Sequence, residues 1–177
     1  ADDNAEFEEL IVTARRILTP GLGLVTLDTA EIARQRARTS DTASLLKDVP
    51  GVATYGAGGV SSLPVIRGLA DDRLRTQVDG VDVVAACPNH MNPPLSYIDP
   101  QQVQRIVLLA GVPPVSSGGD SIGGVIEVQS NAPVFARPGE GRLVSGAFAL
   151  SGRSVNNSVS TSVAVNSASE SFSVGYS

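Results

Sequence analysis

Two short strand candidates and two turns follow one another in the stretch LPVIRGLADDRLRTQVDGV, residues 63–81. Leu63 to Arg67 and Arg75 to Val78 contain the branched residues that strands favour, while the polar segment between them and the Asp79-Gly80 pair after them are turn signals. The same pattern predicts two strands further along the chain, at Arg105 to Leu109 and at Val125 to Gln129. The centre of the chain is therefore predicted to consist of short strands joined by turns.

Short helices are predicted around these strands. Asp28-Thr29-Ala30-Glu31 has the form of a capping box and predicts a helix through about residue 37. A second helix is expected over Thr42 to Val49, with Ser40 or Asp41 as its cap, and Asp99-Pro100 should start a single helical turn. The Gly-rich segment from Val52 to Ser62 is predicted to be a loop. Helices and strands in no strict βαβ order favour an α+β domain with a short mixed sheet.

Composition and charge exclude several functions. With 42% hydrophobic residues, a chain of 177 residues can bury a core, so disorder is not expected. The formal net charge of −5 leaves no basic surface for nucleic acid. No run of about eighteen apolar residues is present, so the sequence predicts no transmembrane helix. The opening residues Ala1-Asp2-Asp3-Asn4-Ala5 are typical of an exported protein after signal cleavage.

A β-prone run near the start of the chain is flanked by charge on both sides. It consists of Leu10 to Ala14, between Glu8-Glu9 and Arg15-Arg16. It fits an ordinary edge strand of the domain. It equally fits an extended peptide that adds to the sheet of another protein.

The residues after Pro133 show a different pattern. Larger apolar side chains alternate with small ones over Ser158 to Asn166 and Phe172 to Ser177, and less regularly over Arg142 to Gly152. Such alternation is typical of a soluble sandwich edge or of transmembrane β-barrel strands, and the near absence of charge favours the barrel. Because three strands cannot close a barrel, the chain would be part of a longer protein or be completed by a second chain.

The order of these segments resembles the TonB-dependent outer-membrane receptor family, with residues 1–16 as an N-terminal segment, 17–133 as plug domain and 134–177 as the first barrel strands. Six blocks carry the resemblance in the correct order. They are Glu9-Leu10-Ile11-Val12-Thr13-Ala14 as TonB box, Leu45 to Val52, Pro64 to Gly68, Val78 to Val81, Arg105 to Gly111 and Gly123 to Val128. The resemblance implies a small α+β plug domain followed by the first antiparallel strands of a transmembrane β-barrel.

The chain departs from the family pattern at two places. Leu108-Leu109-Ala110-Gly111 stands where the family usually has an acidic residue and then Arg-Gly-Pro, and Gly118-Gly119 replaces the usual Tyr-Gly. Charge pairs made by the usual residues are therefore not expected here. The strand pattern is unaffected.

The only Cys, His and Met of the chain lie together in Cys87-Pro88-Asn89-His90-Met91. Pro88 suits the first position of a helical turn, and Asn92 before Pro93 should end it, so one turn would bring Cys87 and Met91 to the same side. A thiolate and a thioether are soft donors that favour Cu(I), while Cys with His also suits zinc. The alternative is a buried Cys and a gap-filling Met, with His90 exposed to solvent.

The resemblance extends to the copper-receptor branch of the family, through this segment and the residues from Asn92 to Pro100 that follow it. It implies copper as cargo, bound by Cys87 and Met91. His90 lies inside the motif without being one of its defining ligands. Two protein ligands are too few for tight retention, so further His or Met ligands are expected from the rest of the barrel.

Enzymatic and electron-transfer functions are not expected. Gly119-Asp120-Ser121-Ile122-Gly123 matches the nucleophile elbow of hydrolases, but a strand is predicted after it where the elbow needs a helix. A blue-copper site needs two His residues and the chain has one. The glycines at 56, 58 and 59 neither follow a strand nor open a helix, which disfavours a phosphate loop.

Three functions remain as expectations. The first is TonB-dependent transport of copper across the outer membrane, with the plug inside the barrel, the N-terminus in the periplasm and the TonB energy-transducing protein as partner. The second keeps the plug but assigns it a siderophore or another metal chelate. The third is a soluble periplasmic copper-binding module, whose last strands would form a sandwich edge.

Overall fold

The computed structural model describes residues 23–36, 38–57, 61–154 and 157–176. One α-helix, α1, spans Thr29–Arg36, and short 3₁₀ segments join the remaining elements. The strands are β1 Leu24–Leu27, β2 Val52–Ala57, β3 Ser61–Ile66, β4 Leu74–Val78, β5 Val81–Asp82, β6 Val103–Ala110, β7 Gly124–Ser130, β8 Leu143–Arg153, β9 Ser158–Ala168 and β10 Ser173–Tyr176. No helix in the described parts of the chain is long and apolar enough to cross a membrane.

A five-stranded mixed sheet organises the first part of the chain, in the order β1-β6-β7-β4-β5. Strand β6 lies antiparallel to both β1 and β7, whereas β4 and β7 run parallel, with Leu74 opposite Gly124 and Val78 opposite Val128. The four strands predicted from the sequence are confirmed within two residues at each end. The mixed sheet with few helices confirms the α+β assignment.

The hydrophobic core lies between this sheet and the short helical segments. Strands β6 and β7 contribute Ile106, Leu108, Ile126 and Val128, all at most 2% exposed. The 3₁₀ segments contribute Leu45, Leu46 and Leu95, which are fully buried. At about 25 cal/mol per Å² of apolar surface removed from water, these side chains supply most of the driving force for folding.

The capping residues predicted from the sequence are confirmed, although one helix is shorter than expected. The Asp28 carboxylate accepts a hydrogen bond from the Glu31 amide, 2.9 Å away, at the start of α1. Asp41 caps a 3₁₀ segment, Thr42–Leu46, through a bond from the Ala43 amide. The predicted helix through Val49 was too long, because the amides of residues 47 and 49 bond three residues back and the chain then turns at Pro50.

The prediction of a loop from Val52 to Ser62 was wrong. Residues 52–57 form β2, which pairs antiparallel with β3 over six residue pairs. Glycine and alanine weaken a strand, but the pairing needs only backbone groups, and β3 provides a strong partner. Pro64 is tolerated there because the two strands form a sheet of their own, with outer edges.

The last three strands form a separate antiparallel sheet in the order β10-β9-β8. The register places Phe148 opposite Val163 and Gly146 opposite Val165, so the larger apolar residues share one face. Val144, Phe148, Leu150, Val159, Val163, Val165, Val174 and Tyr176 are each at least 50% exposed there. The predicted alternation is confirmed, and the other face includes the small side chains of Ala147, Ser162 and Ala164.

Candidate metal-binding loop

The Cys-His-Met segment lies in the connection that follows the short hairpin of β4 and β5. The Val83 amide donates to the Thr76 carbonyl at 2.9 Å, which keeps the chain beside β4. Three residues later the Ala86 amide donates to the Tyr97 hydroxyl at 3.1 Å. Pro93 is buried at the far end of the loop. Residues 86–93 are thus held at both ends by the sheet and by the 3₁₀ segment Pro94–Tyr97.

Cys87 is surrounded by backbone amides of its own turn. The His90 amide donates to the Cys87 carbonyl at 3.0 Å, and the Met91 amide donates to Cys87 Sγ at 3.2 Å. The turn is not helical, since His90 has φ +50°. Hydrogen bonds from the amides of Asn92 and Met91, with smaller contributions from Asn89 and His90, lower the pKa of the Cys87 thiol. The thiolate, which is the form that binds metals, is therefore favoured.

The two sulfur-bearing residues are accessible from outside. Cys87 is a partly exposed free cysteine and Met91 is 67% exposed. An exposed methionine in a Pro-bounded turn contributes little to packing. The alternative of a buried Cys and a gap-filling Met therefore does not describe this loop.

His90 lies on the inner side of the same turn. Its side chain is 18% exposed, and Nε2 lies 3.7 Å from Asp71 Oδ1. Nδ1 is buried and has no hydrogen-bond partner among the described residues. A cavity of about 50 Å³ adjoins the ring and is lined in part by Leu63, Thr76 and Pro94. The expectation of a solvent-exposed His90 in that alternative is wrong.

Within the described ranges, no three His, Cys, Asp or Glu side chains come close enough together to hold a metal ion. The loop offers the two sulfur donors, and the sequence has no other Cys or Met.

Arg75 connects the hairpin to the loop between β6 and β7. Its guanidinium forms two bonds of 2.6 Å with the Asp82 carboxylate and a third with the Gly118 carbonyl. The bond from Arg75, followed by that from Gln77, lowers the pKa of Asp82. Gly118 has φ +98°, and a Cβ there would lie 1.8 Å from Arg75 Nη1. Gly118, which stands where the family usually has Tyr, has no side chain, and the Arg75 guanidinium occupies the space where a Cβ would lie.

Ser121, at the centre of the hydrolase-like motif, is buried and has a structural role. Its Oγ lies 2.8 Å from the Arg73 carbonyl and 2.6 Å from that of Gly124, and it accepts a bond from the Gly124 amide. Strand β7 follows immediately. The serine joins β7 to the start of β4 and is not a nucleophile.

A family model described as the TonB-dependent receptor plug domain matches residues 24–125. The chain belongs to this family. The plug is therefore part of an outer-membrane receptor and is not an enzyme.

Two curated relatives of the plug are named hemin receptor. The one from Yersinia enterocolitica is 29% identical over 119 residues, which cover 66% of the chain and 17% of the relative. The one from Yersinia pestis is 32% identical over 110 residues, or 59% of the chain and 16% of the relative. The chain thus spans only a small part of the length of these relatives.

Solved structures share the fold of the plug at low sequence identity. The copper transporter OprC has a TM-score of 0.59 at 22% identity, over 82% of this chain and 21% of that one. The siderophore receptor PirA from Acinetobacter baumannii has a TM-score of 0.63 at 15% identity, over 89% of this chain and 24% of that one. These likenesses establish the fold and leave the cargo open.

Sequence reasoning identified the loop but not the residues that hold it. Tyr97 lies within the segment from Asn92 to Pro100 that carries the resemblance, but nothing in the sequence indicated that its hydroxyl bonds to the Ala86 amide. Asp71 lies far from His90 along the chain, so only the fold brings the two together. The predicted TonB box, Glu9 to Ala14, lies outside the described residues.

Proposed function

We propose that the chain is the plug and barrel onset of a TonB-dependent transporter for copper, and that Cys87 and Met91 capture the metal. The observation that carries the proposal is the Cys87 thiol within a ring of backbone amides, one turn away from an exposed methionine. Hydrogen bonds from these amides lower the pKa of the thiol and so favour the thiolate, the form that binds metals. The thioether of Met91 adds a second soft donor.

The donor set favours Cu(I) over harder ions. Thiolate and thioether ligands select Cu(I), whereas carboxylate and carbonyl oxygens suit Mg²⁺ and Ca²⁺. Zinc accepts Cys and His but seldom Met. His90 was the third candidate ligand, but its ring is turned inward in this structure, so the proposal rests on Cys87 and Met91. The remaining ligands would come from barrel segments beyond this chain.

The last sheet supports the proposal that residues 134–177 begin a transmembrane barrel. Its larger apolar side chains are exposed on one face, as lipid-facing positions would be. Its small residues face a cavity of about 610 Å³ that the plug also lines. The lining includes Asp99, Gln101 and Asn131 from the plug and Ser145, Ser162 and Asn166 from the sheet. A plug enclosed by a barrel would have this arrangement.

Energy would reach the plug through its N-terminal segment. Residues 9–14 have the composition of a strand that adds to another sheet, and TonB would be the partner. Strand β1, which begins at Leu24, is the first described element after this segment and lies at the edge of the mixed sheet. A pull on the segment would therefore act on β1 first.

A receptor for heme or another metal chelate is the second candidate. The observation in its favour is that both curated relatives are named hemin receptor. The only histidine of the chain, His90, is held inward, so this plug would offer no exposed imidazole to heme iron. Membership of the receptor family argues against a soluble periplasmic module.

Metal titration of the complete receptor separates the two candidates. Cu(I), supplied with a competing chromophoric chelator, should bind the unaltered receptor and lose affinity in Cys87→Ala and in Met91→Leu, which removes the thioether but keeps the volume. Val84→Ala, an exposed change in the same connection, is the control and should leave affinity unchanged. Copper binding and uptake that survive both sulfur changes would sink the copper proposal. Hemin binding in all variants without copper binding would favour the second candidate.

A further inference from the structure

The ring of His90 lies close to the carboxylate of Asp71, although the two residues belong to segments that are distant in the sequence. Asp71 opens a 3₁₀ turn directly before β4 and follows the buried Ala70. His90 belongs to the turn from Cys87 to Met91, called here the sulfur-bearing turn. Their contact of 3.7 Å, between Nε2 and Oδ1, is within ion-pair distance when the imidazole is protonated.

Both residues adopt a backbone conformation that side-chain-bearing residues seldom use. Asp71 has φ +59° and His90 has φ +50°. A non-glycine residue in the left-handed region costs of order 1 kcal/mol and persists only where the surroundings impose it. At His90 this conformation turns the ring inward, while the following residue, Met91, remains exposed.

Neither nitrogen of His90 is presented beside the two sulfur atoms. Nδ1 is buried in the protein, and Nε2 is directed at Asp71. The ring lines one wall of the cavity of about 50 Å³, and Leu74 and Val83, at the two ends of the hairpin that precedes the loop, line others. The His90 ring therefore contacts the interior of the plug, while the sulfur atoms of Cys87 and Met91 are accessible from outside.

We propose that Asp71 and His90 form a clamp that holds the Cys87–Met91 turn in its metal-binding shape, and that His90 is a positioning residue and not a copper ligand. The proposal rests on the copper function proposed above. When His90 is held against Asp71, the amides of Met91 and Asn92 remain directed at Cys87 Sγ. Without the clamp, the left-handed residue relaxes and the ring of amides opens.

Two readouts on the complete receptor test the clamp, one without copper and one with it. In the metal-free receptor, His90→Ala and Asp71→Ala should each make the amides of residue 87 and residues 89–92 exchange hydrogen about tenfold faster, while exchange in β6 and β7 stays the same. In the Cu(I) titration the same variants should lose about tenfold in affinity, and the double variant should lose no more than either alone. Asp71→Glu keeps a carboxylate opposite Nε2 and should retain most of the affinity.

The neighbouring Asp72 provides the matched control. It is exposed, and Asp72→Ala should change neither readout. X-ray absorption should show that the copper-bound receptor keeps its nitrogen and sulfur donors in His90→Ala. A nitrogen donor lost in that variant, or unchanged exchange in both Asp71→Ala and His90→Ala, would overturn the clamp. If the unaltered receptor binds no copper, the proposed function fails, while the exchange rates still decide the clamp.

Discussion

Strands β7 and β9 are both central strands of their sheets and both rich in valine, but their side chains have opposite surroundings. In β7, Val125, Ile126 and Val128 are at most 2% exposed. In β9, Val159, Val163 and Val165 are 50–74% exposed. The difference lies in the patterning, because β7 has consecutive apolar residues that are buried on both faces, whereas β9 alternates apolar with small residues.

This contrast shows what each sheet requires to be stable. The mixed sheet buries its apolar side chains within the plug and is complete in this respect. The last sheet leaves its apolar face uncovered, and such a contiguous face needs a partner or a lipid environment. The plug therefore carries its own core, while the last sheet depends on what surrounds it.

The largest expected effect comes from the same substitution in the two sheets. Leu108→Ala, at a side chain 2% exposed in β6, should lower the free energy of unfolding by about 3 kcal/mol, since it removes buried methyl groups and leaves a cavity. Leu150→Ala, at a side chain 64% exposed in β8, should cost less than about 1 kcal/mol. Urea unfolding of the chain measures both. Equal losses would show that the last sheet is buried in solution.

An arginine on either side of β9 tests what covers the apolar face. Val163→Arg should destabilise insertion of the complete receptor into lipid vesicles by about 2–4 kcal/mol, because the charge would meet the bilayer. Ser162→Arg, on the opposite face towards the cavity of about 610 Å³, should have a much smaller effect. Folding into vesicles, followed by gel mobility with and without heating, measures the difference. Normal insertion of the Val163 variant would refute the lipid-facing assignment.

The smallest expected effect concerns the ion pair between Arg75 and Asp82 at the edge of the mixed sheet. The last sheet, in contrast, presents mainly apolar side chains. Because Arg75 lowers the pKa of Asp82, this carboxylate stabilises the fold above the ordinary aspartate pKa of about 3.9, and the contribution is lost as the pH falls through the lower folded-state value. Asp82→Asn should therefore lower the denaturation midpoint slightly at neutral pH and hardly at all in strong acid. A constant difference across this range would contradict the pair.

Much of the fold could be predicted from local sequence because its signals are local. The caps at Asp28 and Asp41, the turn at Asp79-Gly80 and the alternation in β9 each depend on residues close in the chain. β2 was missed because the glycines and alanines of residues 52–62 were given more weight than Val52, Thr54 and Tyr55, and because its pairing with β3 cannot be read from local sequence. The length of the segment after Asp41 was overestimated because the apolar pattern does not distinguish an α-helix from the shorter 3₁₀ segment that forms here.

The candidate site was predictable only in part, for a related reason. Composition singled out Cys87, His90 and Met91, since each is unique in the chain. The direction of each side chain depends on the backbone of the turn and on Asp71 and Tyr97, which the fold brings from other segments. A sequence pattern can therefore identify the donors without identifying which of them faces outward.

The parallel pairing of β4 with β7 has a consequence for the order of folding. The hairpin of β2 and β3 and that of β8 and β9 join neighbouring segments and can form early. Strand β7 must insert between β6 and β4, and the chain between β4 and β7 includes the sulfur-bearing turn. Pairings across long loops form slowly because the entropy of closing the loop is lost before the contacts are gained. We expect the turn to reach its final shape only in this late step, so a nascent plug would acquire its metal-binding loop after its hairpins.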